Sequence, residues 1–349
     1  MRQFLAITLS ALILSASQNP ARKYQEPKPQ VLPLPPELPM AVTADTATLD
    51  FHISPLLRAG GLSSQIRQSL NNLISDTRGE TIVKLRAFVA GTGDARRVQS
   101  EAVTIFSDHK LPLPVLSIIQ VGALAGDAAQ IVIEAVVSTR KTLNPAGLAF
   151  ITGQYGRNFA DALDHLKTSA ALAHVSPDRM LTATCFTSAL NDYTARRASV
   201  QADFPKAEIN IMQALRDPVT DATMCESIGQ LTDPPATDLV RLDNAHATLV
   251  NAKHLVFTGL QLCFGSFLDD AQEANDRLRR AANGAGGNLA NETFANAAIQ
   301  IDAFSLTPAA GSALRKTTSF PPSTFTVLSV EGLTAIDATA GIDAVLAVQ

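Results

Sequence analysis

The chain has 349 residues, a formal net charge of −4 and 46% hydrophobic residues. That length suits two or three domains with proper cores, and an acidic balance with no basic block argues against a nucleic-acid partner. Trp is absent and Tyr occurs three times, so small side chains must do much of the packing.

The N-terminal stretch MRQFLAITLSALILSAS places Arg2 before an apolar run from Phe4 to Leu14, then the small residues Ser15, Ala16 and Ser17. This is the layout of a cleavable secretory signal. Residues 1–17 are therefore assigned to a signal peptide, and the mature protein is expected in the periplasm or secreted. No Cys follows the small residues, which argues against a lipoprotein anchor, and no later stretch reads as a transmembrane segment. Residues 18–44 are dense in Pro (NPARKYQEPKPQVLPLPPELPM). Each Pro removes an amide donor and fixes φ, which predicts an extended, semi-rigid tether.

From Leu49 the pattern is strand, helix (SSQIRQSLNNLISDTRG), strand (TIVKLRAFVAG), helix (DARRVQSEAVTIFSDH) and two strands (PVLSIIQVGAL, QIVIEAVV). Ile66, Leu70 and Leu73 fall on one stripe of the first helix, and residues 131–134 alternate with period two. The GTGD before the second helix reads as a turn with Asp94 as N-cap. The same order of elements recurs over 146–231 and again over 246–348. From the Pro before the fifth element to an acid in the last strand the offset is 20 residues (Pro114 to Glu134), then 21 (Pro205 to Glu226), then 21 (Pro322 to Asp343). An α+β chain of three tandem repeats follows, at 45–140, 141–235 and 236–349. Cys185 and Cys225 lie in strand-like runs of the second repeat. They pair if neighbouring strands bring them together, or stay buried as free thiols like Cys263, the reading favoured at this point.

The repeats resemble the RidA-like (YjgF) family of reactive-intermediate, enamine/imine deaminases. The resemblance is carried by SQIRQSLNNL, VKLRAFVAG and VIEAVV in the first repeat. In the second and third it is carried by FITGQ and FTGLQ, where Thr152-Gly153-Gln154 and Thr258-Gly259 are similar to the family's Ser-Gly-Gln strand end. It spans most of the mature chain and is closest in the first repeat. It implies three RidA-like (chorismate-mutase-like) domains, each a mixed β-sheet with two helices on one face. Family members form homotrimers with pockets between neighbours, so three copies in one chain imply an intramolecular pseudo-trimer, monomeric in solution, with inter-repeat clefts for a small-molecule ligand. Covalent linkage makes assembly independent of concentration and lets the pockets diverge.

The family's deaminases clamp the substrate carboxylate with an Arg in the fifth element, because guanidinium makes two parallel bonds to a carboxylate. The matching positions here are Leu116, Ala207 and Phe325; Lys206, one residue away, would turn to the opposite face. The acid that positions the attacking water in the family persists as Glu134, Glu226 and Asp343, the candidate catalytic residues. Without the Arg, carboxylates satisfied by neighbouring backbone amides are the simpler reading. Gln99 and Arg197 stand where the family has a pocket-facing Asn, although an exposed helix face suits both. Gly153 and Gly259 suit pocket contact or close backbone packing. The resemblance thus implies a non-catalytic scaffold or small-ligand-binding protein, favoured by the missing Arg and by export. Its alternative is an enamine/imine hydrolase for substrates without a carboxylate. No metal or cofactor is expected. His246 and His254 are irregularly spaced, and GAGG at 284–287 follows a helix, as a turn rather than a phosphate loop.

Overall fold

The computed structural model describes residues 36–348 apart from 92, 127, 288 and 290. The expected signal peptide, and the tether up to residue 35, lie outside the described residues. The first third of the chain forms β1 (Ala41–Asp45), β2 (Leu49–Ile53), α1 (Leu62–Asp76), β3 (Thr81–Ala90), α2 (Arg96–Asp108), β4 (Val115–Val121), β5 (Ala123–Leu124) and β6 (Ile131–Ser138). Next come β7 (Leu148–Gly156), α3 (Phe159–Leu172), β8 (Met180–Thr187), α4 (Tyr193–Asp203), β9 (Glu208–Gln213), β10 (Thr223–Gln230), β11 (Leu239–Leu242) and β12 (Ala247–Val250). The last part contains β13 (His254–Thr258), β14 (Gln261–Cys263), α5 (Leu268–Ala282), the short α6 (Asn291–Phe294), β15 (Ala298–Ser305), α7 (Pro308–Thr317), β16 (Phe325–Ser329), β17 (Gly332–Leu333) and β18 (Ala340–Val348).

These strands make three mixed sheets with a shared four-strand order: β4-β3-β6-β2, β9-β8-β10-β7 and β16-β15-β18-β13. In each, the first pair is parallel and the other two pairs are antiparallel. A parallel pair needs a crossover, and α2, α4 and α7 supply it. Three outer cores lie between helices and sheet. In the first, Leu85, Ala87 and Val89 from β3 meet Ile66, Leu70 and Leu73 of α1 and Val98, Ala102 and Phe106 of α2. The period of two on the strand and of 3.6 on the helices turns both apolar sets to one interface.

The opposite faces of the three sheets pack on one another. Their contacts form two apolar clusters that each mix all three sheets, one around Phe88, Phe186 and Phe304 and one around Phe51, Phe150 and Phe257. Register makes these residues counterparts. Phe51, Phe150 and Phe257 oppose Val136, Ile228 and Val345 on the last strand of their sheets. Phe88 and Phe186 meet edge to face with centroids 5.5 Å apart.

Strand exchange ties the sheets together across two expected boundaries. Residues 41–44, assigned to the tether, belong to β1, which pairs with β13 of the last sheet. Residues 239–250, assigned to the third repeat, form the β11-β12 hairpin that extends the second sheet through β7. In both places the segment pairs with an open sheet edge that sequence proximity does not reveal. The short β5 likewise joins β9, and β17 joins β4.

Cys185 on β8 and Cys225 on β10 are directly opposed in register and form a disulfide, with Cα atoms 4.1 Å apart. This replaces the reading of three free thiols; Cys263 alone is free, and buried. The bridge closes a loop with a sequence separation of 40, for which about 2–4 kcal/mol of stabilisation is expected. Titration of the denatured, unreduced chain with a thiol reagent should therefore find one thiol per chain. Finding three would remove the bridge.

Candidate functional site

The inner face of each sheet carries a polar row between its two apolar rows. On β3, β8 and β15 the sequences Lys84-x-Arg86-x-Phe88, Thr182-x-Thr184-x-Phe186 and Gln300-x-Asp302-x-Phe304 place alternate residues inward. Arg86, Thr184 and Asp302 are register partners of Glu134, Glu226 and Asp343. On the other side they pair with Ser117, Asn210 and Thr326. Three sheets thus deliver one layer of polar side chains to the interior.

Arg86 is the centre of that layer. Its Nε donates to Glu134 Oε2 at 2.9 Å, its Nη1 to Asp302 Oδ2 at 3.0 Å, and its Nη2 contacts Glu134 Oε2 at 2.7 Å and donates to Glu226 Oε1. The three carboxylates come from three different sheets. Glu134 Oε1 also accepts from Thr184 Oγ1 at 2.6 Å and Asn210 Nδ2 at 2.7 Å. Asp343 instead takes Lys84 Nζ at 3.0 Å and the Ser117 hydroxyl. Gln300 Nε2 bridges Glu226 Oε2 at 3.3 Å and Asp302 Oδ2 at 2.8 Å.

Burial works against the Arg86 charge, but Glu134, Glu226, Asp302 and Asp343 outweigh it and hold its pKa well above the ordinary guanidinium value. Burial, with neighbouring Glu134 and Asp343, pushes Glu226 up against the pull of Arg86. Burial and then the Glu226 charge push Asp302 well up, with Arg86 and Lys84 opposing. Two cations face four carboxylates, so with every acid ionised the surplus is negative.

Beside this layer lies a chamber of about 70 Å³. Lys84, Arg86, Glu134, Glu226, Gln300 and Asp302 line its polar part, and Phe51, Phe150 and Phe257 its apolar part. His52, with a side chain 27% exposed, also lines it. His52 Nε2 sits 3.3 Å from Asp50 Oδ2. Hydrogen bonding to Asp50 raises the His52 pKa, and the same bond lowers that of Asp50.

Sequence expectation placed Glu134, Glu226 and Asp343 in three separate clefts, each held by backbone amides if not catalytic. The structure instead brings them into one interior layer, and the groups that satisfy them are side chains. Leu116 is half-buried, packs against the first outer core and offers its carbonyl to Leu260 N at 3.4 Å. Ala207 is buried in the second outer core. Phe325 packs against the third and stacks on Phe320 with centroids 6.4 Å apart. Gln99 is exposed on α2. Arg197, also exposed, donates Nη1 to Ile209 O at 2.8 Å. None of these five lines the chamber. Gly153 has φ of +50°, and a Cβ there would come within 3.1 Å of Thr326 Oγ1. A Cβ on Gly259 would lie 3.2 Å from Leu116 O. Both glycines admit a neighbouring sheet.

Sequence reasoning passed over Arg86, Lys84 and Asp302. The signal was available in the three polar-x-polar-x-Phe strands, whose inward polar residues sit next to a large aromatic. Replacing Arg86 with Met should cost about 3–5 kcal/mol in denaturant unfolding at neutral pH, because it leaves buried carboxylates uncompensated. A loss below about 1 kcal/mol, the range of an exposed ion pair, would contradict this account. A second outcome follows from the raised Glu226 pKa. A carboxyl that holds its proton more tightly when folded stabilises at low pH and loses that contribution as pH rises through its folded pKa. Glu226→Gln should therefore flatten the decline in unfolding free energy from the ordinary carboxylate range upward. An unchanged pH profile would show that Glu226 titrates normally.

No family model matches the chain, and no curated protein does. Among solved structures, the chain is similar to the YjgF gene product of E. coli at TM-score 0.25 and 22% identity, over 30% of this chain and 94% of that one. It is similar to E. coli TdcF with bound serine at TM-score 0.25 and 19% identity, over 29% and 93%. A chorismatase structure aligns over 86% of this chain and 99% of its own, at TM-score 0.27 and 11% identity. The chain is a mixed α+β protein with partial structural similarity to YjgF and Rid structures over about a third of its length.

Proposed function

We propose that this chain is an exported, RidA-like pseudo-trimer that serves as a non-catalytic scaffold with a small-molecule binding chamber. The observation that carries the reading is the engagement of Glu134, Glu226 and Asp343 with Arg86 and Lys84 inside the protein. Water activation needs a carboxylate oxygen free to accept a proton at a site the substrate can enter. Both Glu134 oxygens are already committed, to Arg86 on one side and to Thr184 and Asn210 on the other. The shared strand order of the three sheets, with inner faces packed on one another, supports an internal trimer.

The missing clamp points the same way. A hydrogen bond to a charged group is worth about 1.5–3 kcal/mol, roughly ten- to a hundredfold in affinity, before any loss of orientation at the reacting carbon. With Leu116, Ala207 and Phe325 at the clamp positions, 2-iminobutanoate generated in situ should not be hydrolysed above background. Wild-type turnover comparable to an authentic family deaminase, abolished by Glu134→Ala, would overturn the scaffold reading.

Two further measurements bear on assembly and export. Light scattering should return the mass of one chain, since the three sheets already cover one another's inner faces; a stable trimer of full-length chains would contradict this. The secreted or periplasmic protein should begin near residue 18, and native protein that retains residues 1–17 on intact-mass analysis would refute export by this signal.

A further inference from the structure

Among the described residues, the interior layer holds an acidic oxygen that the fold leaves unanswered, and the Thr326 hydroxyl paired with it in register also lacks a partner. Asp302 is 5% exposed, and its Oδ2 accepts from Arg86 and Gln300. Its Oδ1 is buried without a hydrogen-bond partner. Leaving a charged acceptor buried and unpaired is costly, and such atoms in native interiors call for a ligand, a water or a proton. Asp302 lines the chamber of about 70 Å³. One water needs roughly 10–15 Å³ on this measure, so the space fits several waters or a molecule of a few heavy atoms.

Charge and lining narrow the class of occupant. Four carboxylates, Glu134, Glu226, Asp302 and Asp343, face Arg86 and Lys84. An anion would add to that surplus, and a cation would relieve it. Among the described residues no group of three or more His, Cys, Asp or Glu side chains is arranged to hold a metal ion. The chamber is also two-sided, since Phe51, Phe150 and Phe257 line it together with Val136, Ile228 and Val345. A bare inorganic cation would leave that apolar half unmatched. An ammonium group with a short alkyl chain answers both halves. It donates hydrogen bonds, carries the missing positive charge, buries methylene groups, and is attracted to aromatic faces.

We propose that the chamber binds a small primary alkylammonium ion, which donates to Asp302 Oδ1 and seats its alkyl carbons among Phe51, Phe150 and Phe257. This rests on the reading above that the acids are fixed in the interior and not catalytic. Protons and the ammonium ion compete for the same surplus charge, in keeping with the upward shifts of Glu226 and Asp302.

The test is calorimetric titration of the full-length mature protein with ethylammonium chloride at about pH 8, against potassium chloride at equal ionic strength. Saturable binding of ethylammonium, and none of potassium, is expected. Asp302→Asn should weaken binding about ten- to a hundredfold, the range for losing one hydrogen bond to a charged group. Intermolecular NOEs from the ethyl protons to the rings of Phe51, Phe150 or Phe257 should appear in the wild type, and this measurement needs no variant to fold. Absence of saturable binding, unchanged affinity in a folded Asp302→Asn protein, or saturable binding without those NOEs would each overturn the proposal. Imine turnover is read separately. Turnover together with these NOEs would remove the scaffold reading and leave the chamber assignment standing, whereas neither turnover nor binding would remove only the ammonium ion.

Discussion

A single guanidinium, that of Arg86, holds carboxylates from three sheets in a layer with little access to water. Moving such charges out of water costs several kcal/mol per ion, and the attraction between them repays this only with good geometry and further hydrogen bonds. Here the further bonds come from Thr184, Asn210, Gln300 and Ser117, each reaching an acid on another strand. These bonds form only when all three sheets are docked. Apolar packing alone would not discriminate so sharply, because the Phe clusters on either side could slide with modest loss. Polar pairing fixes the relative register of the sheets, and the apolar clusters supply the bulk of the attraction.

Charge asymmetry is the second feature of this interior. Arg86, Thr184 and Asp302 occupy equivalent positions in their sheets, yet one is a cation, one a neutral hydroxyl and one an acid. A symmetric trimer would place three like residues at those positions, and three arginines or three aspartates around one centre would repel. A single chain is free of that constraint. One Arg86 then serves several acids, and the surplus negative charge collects beside a chamber with an apolar lining.

Strand exchange gives the same interior a mechanical frame. β1 closes the first part of the chain onto the last sheet, while β5 and β17 add to the edges of the second and first sheets. Each exchanged strand satisfies an open edge, which would otherwise present unpaired amides and carbonyls. Opening one sheet would break backbone ladders as well as the ionic layer, so the sheets are expected to unfold together rather than singly.

The main helices and the four strands common to each sheet were legible in the sequence because local period and propensity decide them, whereas β1, β11 and β12 were not. Ile66, Leu70 and Leu73 on α1 and the alternation on β6 needed no knowledge of the rest of the chain. The recurrence of an acid at a fixed offset in the last strands was legible too, but what those acids do was not. Glu134, Glu226 and Asp343 are defined by Arg86, Lys84, Thr184 and Asn210, whose sequence distances from them run from tens of residues to most of the chain. No periodicity encodes such pairings. The Cys185–Cys225 bridge and the capture of β1 and the β11-β12 hairpin by neighbouring sheets depend in the same way on which edges meet in space. Local physics determined the parts of this protein. Which side chains share its buried layer was decided only by the docking of three sheets, because a buried charge takes its partners from whatever surface closes over it.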